Sequence, residues 1–274
     1  MIPRVEVGRA QPSDARAIGE LFAGSFDTDF IQLVPHGCFG AAEFIRMQIT
    51  VPESVAESVY LVAREQKVVI GAAEMRRFSD GLFLNNIAVH QEHRGTGTGA
   101  SLLAAGLALW DRKSGNVSLD SLEGNHRAEN WYRRLGFVTK QCTEFAEVSP
   151  PRQTPVRSPW LSGLPQAELA QQQFGFSSFT IHTPAPVSVG RIGSSWFRLT
   201  DPEAVRDPAV FATLRSFDAN RRFLAVMPAQ VLPAEQRIRV LARLHRMEAS
   251  IPPVLARLAE RTARPEPRAA TISS

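Results

Sequence analysis

Leu82-Phe83-Leu84-Asn85-Asn86-Ile87-Ala88-Val89, followed by Arg94-Gly95-Thr96-Gly97-Thr98-Gly99 and then by the apolar series Leu102, Leu103, Leu107 and Trp110, is the stretch on which the reading of this chain turns. The first segment reads as a β-strand, and the last as a helix from about Thr98 to Arg112. Between them, three glycines in six residues let backbone amides approach a ligand without interference from Cβ atoms. Amides at a helix N-terminus carry partial positive charge, so the loop is a candidate pyrophosphate cradle, with Arg94 as a further cationic contact. It is not a Walker loop, since no Gly-Lys-Ser/Thr follows, and the G-x-G-x-x-G spacing of dinucleotide-binding folds is absent.

Working outward, Val5–Arg9 alternates like a first strand, and Pro12-Ser13-Asp14 offers a cap to a helix bearing Ile18, Leu21, Phe22 and Phe26. Ala41–Ile49 reads as a short second helix. Val59–Arg64, Val68–Met75 and Leu82–Val89 are strands joined by short polar turns, which implies an antiparallel meander. Val117–Leu122 reads as a fifth strand. A helix follows from about Arg127 to Leu135, closed by Gly136. Phe137–Val148 supplies a hairpin or one long strand, so the first 148 residues amount to about seven strands and four helices.

The remainder is less regular. Residues 149–165 hold prolines at 150, 151, 155, 159 and 165 and read as a linker. Beyond it, Gln166–Gln173 reads as a helix, and Phe176–His182, Trp196–Leu199 and Phe223–Met227 as strands. Pro233–Met247 is expected to be a helix, because Ile238, Leu241 and Leu244 recur at every third residue. A last helix runs from Pro252-Pro253 to about Arg261, before a disordered tail at 265–274. Residues 166–264 are thus expected to form a small accessory α/β domain. No strict repeat is seen. Leu135-Gly136-Phe137 and Phe174-Gly175-Phe176 echo one another, which coincidence explains better than duplication.

Composition sets bounds. The chain has 274 residues, 44% hydrophobic and 21% charged, enough for one large or two modest domains. No apolar run approaches the length of a membrane helix, and the first residues lack a signal-peptide pattern. Cys38 and Cys142 form no metal or redox spacing, which together points to a cytoplasmic protein. Residues 151–274 contain 16 Arg, no Lys and nine acids, a net +7, whereas residues 1–150 carry a net −3. These arginines are scattered, and no aromatic residues are interleaved with them, which argues against nucleic acid. His90 and His93, with Gln91-Glu92 between, complete no familiar ligand spacing, so no metal is expected.

A second motif stands downstream: Asn125-His126-Arg127-Ala128-Glu129-Asn130-Trp131-Tyr132-Arg133-Arg134-Leu135-Gly136-Phe137. With it, the sequence resembles the GNAT superfamily of N-acetyltransferases. Ile87-Ala88-Val89 followed by Arg94-x-x-Gly97-x-Gly99 resembles the family's coenzyme A signature, Asn125-x-x-Ala128-x-x-x-Tyr132-x-x-x-Gly136-Phe137 its second motif, and Arg9-x-x-Pro12-Ser13-Asp14-Ala15 a common opening. The resemblance spans about residues 5–148 and implies an α/β fold, a splayed mixed sheet flanked by helices. It implies acetyl-CoA as cosubstrate and an amine as acceptor. Main-chain groups of Ile87, Ala88 and Val89 would pair with the pantetheine arm. Amides of Arg94, Gly95, Thr96, Gly97, Thr98 and Gly99 would hold the pyrophosphate. The Asn125 side chain would bond the pantetheine or substrate region, and Tyr132 would lie near the sulfur.

The chemistry fits those residue types. An amine attacking a thioester expels a thiolate, which a phenol such as Tyr132 can protonate; only Tyr60 and Tyr132 are present. An amide near Val89 would stabilise the carbonyl oxygen. The amine's proton needs an acceptor. Asp120 on the fifth strand is the first candidate, Glu74 on the third strand the second, and water the third. Glu123 and His126 read as solvated loop residues. Asn85 and Asn86 alternate, so at most one is expected to face the acceptor cleft. A rival reading keeps the coenzyme A loop but makes the chain a non-catalytic acyl-CoA sensor whose C-terminal half binds a partner. The acceptor, the role of residues 151–274 and a homodimeric state stay open at this level.

Overall fold

The computed structural model describes residues 5–110, 114–152, 159–233 and 236–263. Of the linker expected at 149–165, residues 153–158 lie outside the described ones, as do Arg112, the expected end of a helix, and the tail at 265–274; a short strand over Trp160–Ser162 and the start of a helix at Leu164 occupy the rest of the linker's second part.

Strands β1 (Glu6–Arg9), β2 (Ser58–Glu65), β3 (Val68–Arg77) and β4 (Gly81–Val89) form the antiparallel meander read from the sequence. Gln66 and Lys67 turn β2 into β3 with positive φ, 48° and 71°, the conformation whose twist suits a two-residue hairpin. Strand β5 (Asn116–Leu122) lies parallel to β4, but only over Gly81–Leu84 against Asn116–Leu119. A Cβ on Gly81 would fall 2.1 Å from the Asn116 carbonyl oxygen, so glycine permits the close approach at this end. Beyond Leu84 the two strands part, and a gap opens between Asn85–Val89 and Asp120–Leu122. Helices α1 (Ala15–Ala23), α2 (Thr28–Ile31) and α3 (Ala41–Thr50) precede β2. Of these, α1 and α3 cover one face, burying Ile18, Phe22 and Ile45 against Tyr60, Val62, Ala72 and Ala88. The opposite face is packed by α4 (Thr98–Leu107) and α5 (His126–Arg134), with Leu102, Leu103, Leu107, Tyr132 and Leu135 in the core.

The sheet does not stop there. Strand β6 (Val138–Val148) is single and long; β7 (Trp160–Ser162), β8 (Phe176–His182), β9 (Pro186–Ile192), β10 (Trp196–Leu199), β11 (Arg222–Pro228) and β12 (Ile238–Ser250) follow, giving one 12-stranded sheet in the order β1-β2-β3-β4-β5-β12-β6-β11-β10-β9-β8-β7. Read from either edge, the pairing sequence is the same: three antiparallel pairs, then one parallel pair, β4 with β5 at one end and β10 with β11 at the other. The fold thus repeats where the sequence shows no repeat. Gly136 and Gly175, the centres of the two echoing tripeptides, both follow helices with positive φ, 93° and 78°. They precede β6 and β8, which hold different places in the repeat, so their likeness is that of helix caps.

The two halves exchange strands. β12 pairs antiparallel with β5 from Leu244 against Leu122 to Ser250 against Asn116, and β6 pairs with β11 from Phe223 against Val148 to Pro228 against Thr143. β12 and β6 pair with each other at the centre. The last strand of the chain therefore returns across position 148 and fills the seventh place expected of the first half, whose own segment supplies six strands. The helix expected over Pro233–Met247 is replaced by this strand. Register shifts between Val240 and Ala242 and between Arg246 and Met247 interrupt the two-residue period, so hydrophobic residues spaced by three still face the interior. Helix α6 (Leu164–Phe174) and the strands β8, β10 and β11 match the reading. Strand β9 and helices α7 (Pro202–Arg206) and α8 (Pro208–Phe217) had no clear signal. α7 and α8 build a second core with Val205, Val210, Phe211 and Leu214 against Phe197 and Phe223. Helix α9 (Ile251–Ala263) places its prolines in the first turn, where no intrahelical N–H bond is lost, and buries Val254 and Leu258 in the core of the first half.

Truncation after Ser149 removes β12 and α9, leaving β5 and β6 as open edges and deleting Met247, Ile251, Val254 and Leu258 from the core. The shortened chain is expected to be insoluble or to lose its cooperative thermal transition, as followed by circular dichroism. In the full chain, Leu258→Ala should lower the unfolding free energy by about 2–5 kcal/mol in a urea titration.

Candidate functional site

The glycine loop lies where the strands part. Gly95 and Gly97 both have φ of +87°, a conformation that strains any residue with a side chain, and a Cβ on either would point into open space. Gly97 is the N-cap of α4, so the first amides of that helix face outward. The Thr96 hydroxyl donates to the His93 carbonyl at 2.7 Å and lies 2.9 Å from that of Thr98, which fixes the loop's curvature. Arg94 Nε donates to the Val89 carbonyl at 3.1 Å and ties the loop to the end of β4.

The ladder decides which groups of β4 face the gap. His90 N–H donates to the Ile70 carbonyl, and Ala72 is registered with Ala88. Alternate residues of an antiparallel strand point their main-chain groups to opposite sides. The groups of Ala88 are therefore used by β3, while those of Ile87 and Val89 face the gap. Of the three residues expected to pair with a pantetheine arm, two are placed to do so. With its carbonyl held by Arg94, Val89 offers the gap its N–H.

Asn125 is the N-cap of α5: its Oδ1 accepts from Ala128 N–H at 3.2 Å. Only its Nδ2 is left to meet a ligand. Seven residues on, Tyr132 is 6% exposed, packed edge-on against Phe137 at 5.6 Å and tilted against Trp131 at 4.9 Å. Burial pushes its phenol well above the usual tyrosine range, and its hydroxyl bonds to no described residue.

Asp120, the first candidate for the base, is already engaged. Arg246 of β12 stands opposite it in register, and the guanidinium takes both carboxylate oxygens, with Nη2 to Oδ2 at 2.9 Å. With both oxygens so held, Asp120 is a structural anchor of the strand exchange. The partner lies 126 residues away on a segment read as a helix, so the sequence offered no sign of the pair.

The most enclosed acid on the face covered by α1 and α3 is Glu74. It is 1% exposed and collects Ser58 Oγ at 3.2 Å, Arg76 Nε at 3.1 Å, Asn85 Nδ2 at 2.7 Å and Asn86 Nδ2 at 3.0 Å. Both asparagines reach it because the ladder slips between Glu74 and Met75, making Asn85 the extra residue of a β-bulge. The alternation that would let only one of them face this side is thereby broken. Asn86 Nδ2 also lies 2.8 Å from His36 Nε2, an arrangement in which the amide donates one proton to Glu74 and the other to a neutral imidazole. His36 sits in the turn between α2 and α3 and stacks edge-on with Phe22 at 5.4 Å. Burial lowers its pKa, Glu74 opposes that, and Arg76 adds to it. Tyr60, on the same face, has its phenol pushed up by burial and by the Glu74 charge. His36 was missed because nothing in the loop around it carries a period.

Residues 56–139 match the family described as Acetyltransferase (GNAT) domain. The match takes in the glycine loop, Asn125 and Tyr132. Solved structures carry the likeness through the second half as well. A GCN5-related N-acetyltransferase from Sphaerobacter thermophilus superposes with a TM-score of 0.57 at 14% identity, covering 90% of this chain and 96% of that one. A tandem GNAT protein from the clavulanic acid biosynthesis pathway does so with a TM-score of 0.58 at 13% identity, covering 90% and 99%. At these identities the likeness is one of fold. No curated protein matches the chain.

Three further groups lie on the first half of the chain. Glu123 is half-exposed and within 3.6 Å of Arg243 of β12. His126 is exposed at the start of α5. His90, Glu92 and His93 bring one ligand atom each within 4.8 Å of one another beside the glycine loop, a gathering that their spacing alone does not suggest. Both cysteines are free, and no described helix is long and apolar enough to cross a membrane.

The lowered pKa of His36 fixes a direction for stability. Between its folded value and the ordinary 6.5, the unfolded chain binds the proton that the folded chain refuses, so stability falls as pH drops through that window. The thermal midpoint of the wild type should decline below about pH 6.5, and His36→Gln should flatten that part of the profile in scanning calorimetry.

Proposed function

We propose that the protein transfers an acetyl group from acetyl-CoA to an amine by direct attack, in the gap between β4 and β5. The observation that carries this reading is the junction of that gap with the glycine loop and Tyr132 within one matched GNAT domain. The pyrophosphate would lie on the amides of Gly95–Gly99, where glycine supplies positive φ and α4 its N-terminal dipole. The pantetheine would run along β4 as an added strand, bonded by Ile87 and Val89. The Val89 N–H would meet the thioester oxygen as it gains charge.

Tyr132 then donates to the departing sulfur. Its raised pKa keeps the phenol protonated throughout the working range, so the donor is present whenever the thiolate forms. The amine enters on the α1–α3 side, near Asn85 and Asn86. Glu74 supplies the negative charge that draws a cationic amine, whose proton passes to solvent water. Its four donors leave it no direct contact with a substrate. His36 and Asn86 position one another.

The corresponding junction of the second half cannot hold a second cofactor. Between β10 and α7 stands Thr200-Asp201-Pro202, without glycine, and the Asp201 carboxylate itself accepts from Glu203 N–H at 2.8 Å and Ala204 N–H at 3.1 Å. An acid already caps the helix where a phosphate would bind.

Titration calorimetry should give one acetyl-CoA per chain, and Gly97→Val should weaken that binding while leaving the fold intact. In thiol-release assays with an amine panel, Tyr132→Phe should lower kcat by about 10²-fold or more. Unchanged turnover would reject Tyr132 as the proton donor, and tight acetyl-CoA binding with no turnover on any amine would favour the sensor.

A further inference from the structure

Arg198 lies on β10, in the half that carries no cofactor loop. Its Nε is buried without a hydrogen-bond partner, and no described residue forms an ion pair with it. The two buried arginines described in this half are satisfied: Arg191 by Glu168, Ser177 and the Ala167 carbonyl, and Arg221 by Asp218 and two carbonyls. A guanidinium partly withdrawn from water and left without an acid favours an anion in its neighbourhood. Burial, then the nearby Arg76 charge, lowers the Arg198 pKa, as an unpaired buried cation requires.

A cavity of about 500 Å³ lies against this side chain. Its wall is aromatic: Phe44 of α3 meets Phe174 and Phe176 edge-on at 5.5 and 5.0 Å. Its rim is hydroxylic, from Ser178, Ser188 and Thr200, all solvent-exposed. Gly190, registered opposite Arg198, leaves the space that the arginine crosses: a Cβ there would meet the Arg198 Cβ at 3.2 Å. The volume suits a small organic molecule, and one cationic group in an apolar wall suits one negative charge on an apolar body. A dianion would need a second free cation, and Arg76 is already engaged by Glu74.

We infer that this cavity is a binding site for a small monocarboxylate with an aromatic or apolar body, held by Arg198 between the two halves of the chain. The cavity reaches the first half through Pro35 and Phe44, and Pro35 adjoins His36. Occupancy therefore bears on the turn that covers the acceptor side. Binding needs no acyl transfer, so the site is testable whether or not the proposed activity holds.

The test uses the full-length protein, without cofactor, in thermal-shift and calorimetric titrations. The ligands are benzoate, 3-phenylpropanoate and indole-3-acetate, their three primary amides, and inorganic phosphate. At least one carboxylate should raise the melting temperature and bind, while its amide and phosphate do not. Arg198→Met should weaken that carboxylate about tenfold or more, the loss expected for a charge-assisted bond. Ser188→Phe, at an exposed rim position, should do likewise by closing the mouth, and both variants should bind acetyl-CoA as the wild type does. Failure of all three carboxylates, equal binding of an amide, stronger binding of phosphate, or undiminished carboxylate binding in folded Arg198→Met would each overturn the assignment.

Discussion

The reciprocal exchange of β6 and β12 is the constraint on which the rest of this molecule depends. A parallel pair that splays, as β4 and β5 do, leaves one of its strands in need of a partner on its far side, because unpaired main-chain groups in a covered sheet are expensive. Here β5 finds that partner in the last strand of the chain, and β11 finds its own in β6. Each half is completed by the other, and a single sheet of twelve strands results. The gap between β4 and β5 exists because β5 is drawn to β12 past Leu119 while β4 stays with β3.

The same exchange assigns roles to charged residues. Asp120 and Arg246 meet as a fork across the β5–β12 register, and Glu144 and Arg243 pair across β6 and β12. Together they hold the central strands by chemistry that could be mistaken for catalysis when one partner is viewed alone. His245 of β12 reaches Glu129 of α5 at 2.8 Å, so the helix that carries Tyr132 is also steadied by the end of the chain. The C-terminal half is thus part of the frame that holds α5.

On the acceptor side, one inserted residue has a large effect. The bulge at Asn85 turns two successive side chains toward Glu74, which concentrates donors on a buried carboxylate and leaves Asn86 to link it to His36. Such a cluster is rigid, because every polar group in it is answered. The second half repeats the strand plan but not this chemistry. It presents a partly buried arginine beside an open cavity, and an acid-capped helix where the first half has glycines. A repeated fold has been given two different sites, as expected when function resides in side chains set on a common scaffold.

The local features of this protein were determined by its sequence. The strand, glycine loop and helix at 82–107, and the capped helix carrying Asn125 and Tyr132, are read from neighbours a few residues apart, since positive φ, caps and periodicity act over one or two turns. Tertiary structure decided what those features could not. Whether Ile238–Ser250 is helix or strand depended on its having β5 and β6 on either side, which overrode a spacing of three. Whether Asp120 is a base or an anchor depended on a residue 126 positions away. That both asparagines reach Glu74 depended on a slip in one ladder, and the cavity beside Arg198 on how two halves meet. In each case the energy that decides comes from partners brought together only by the completed sheet, and sequence separation hides them.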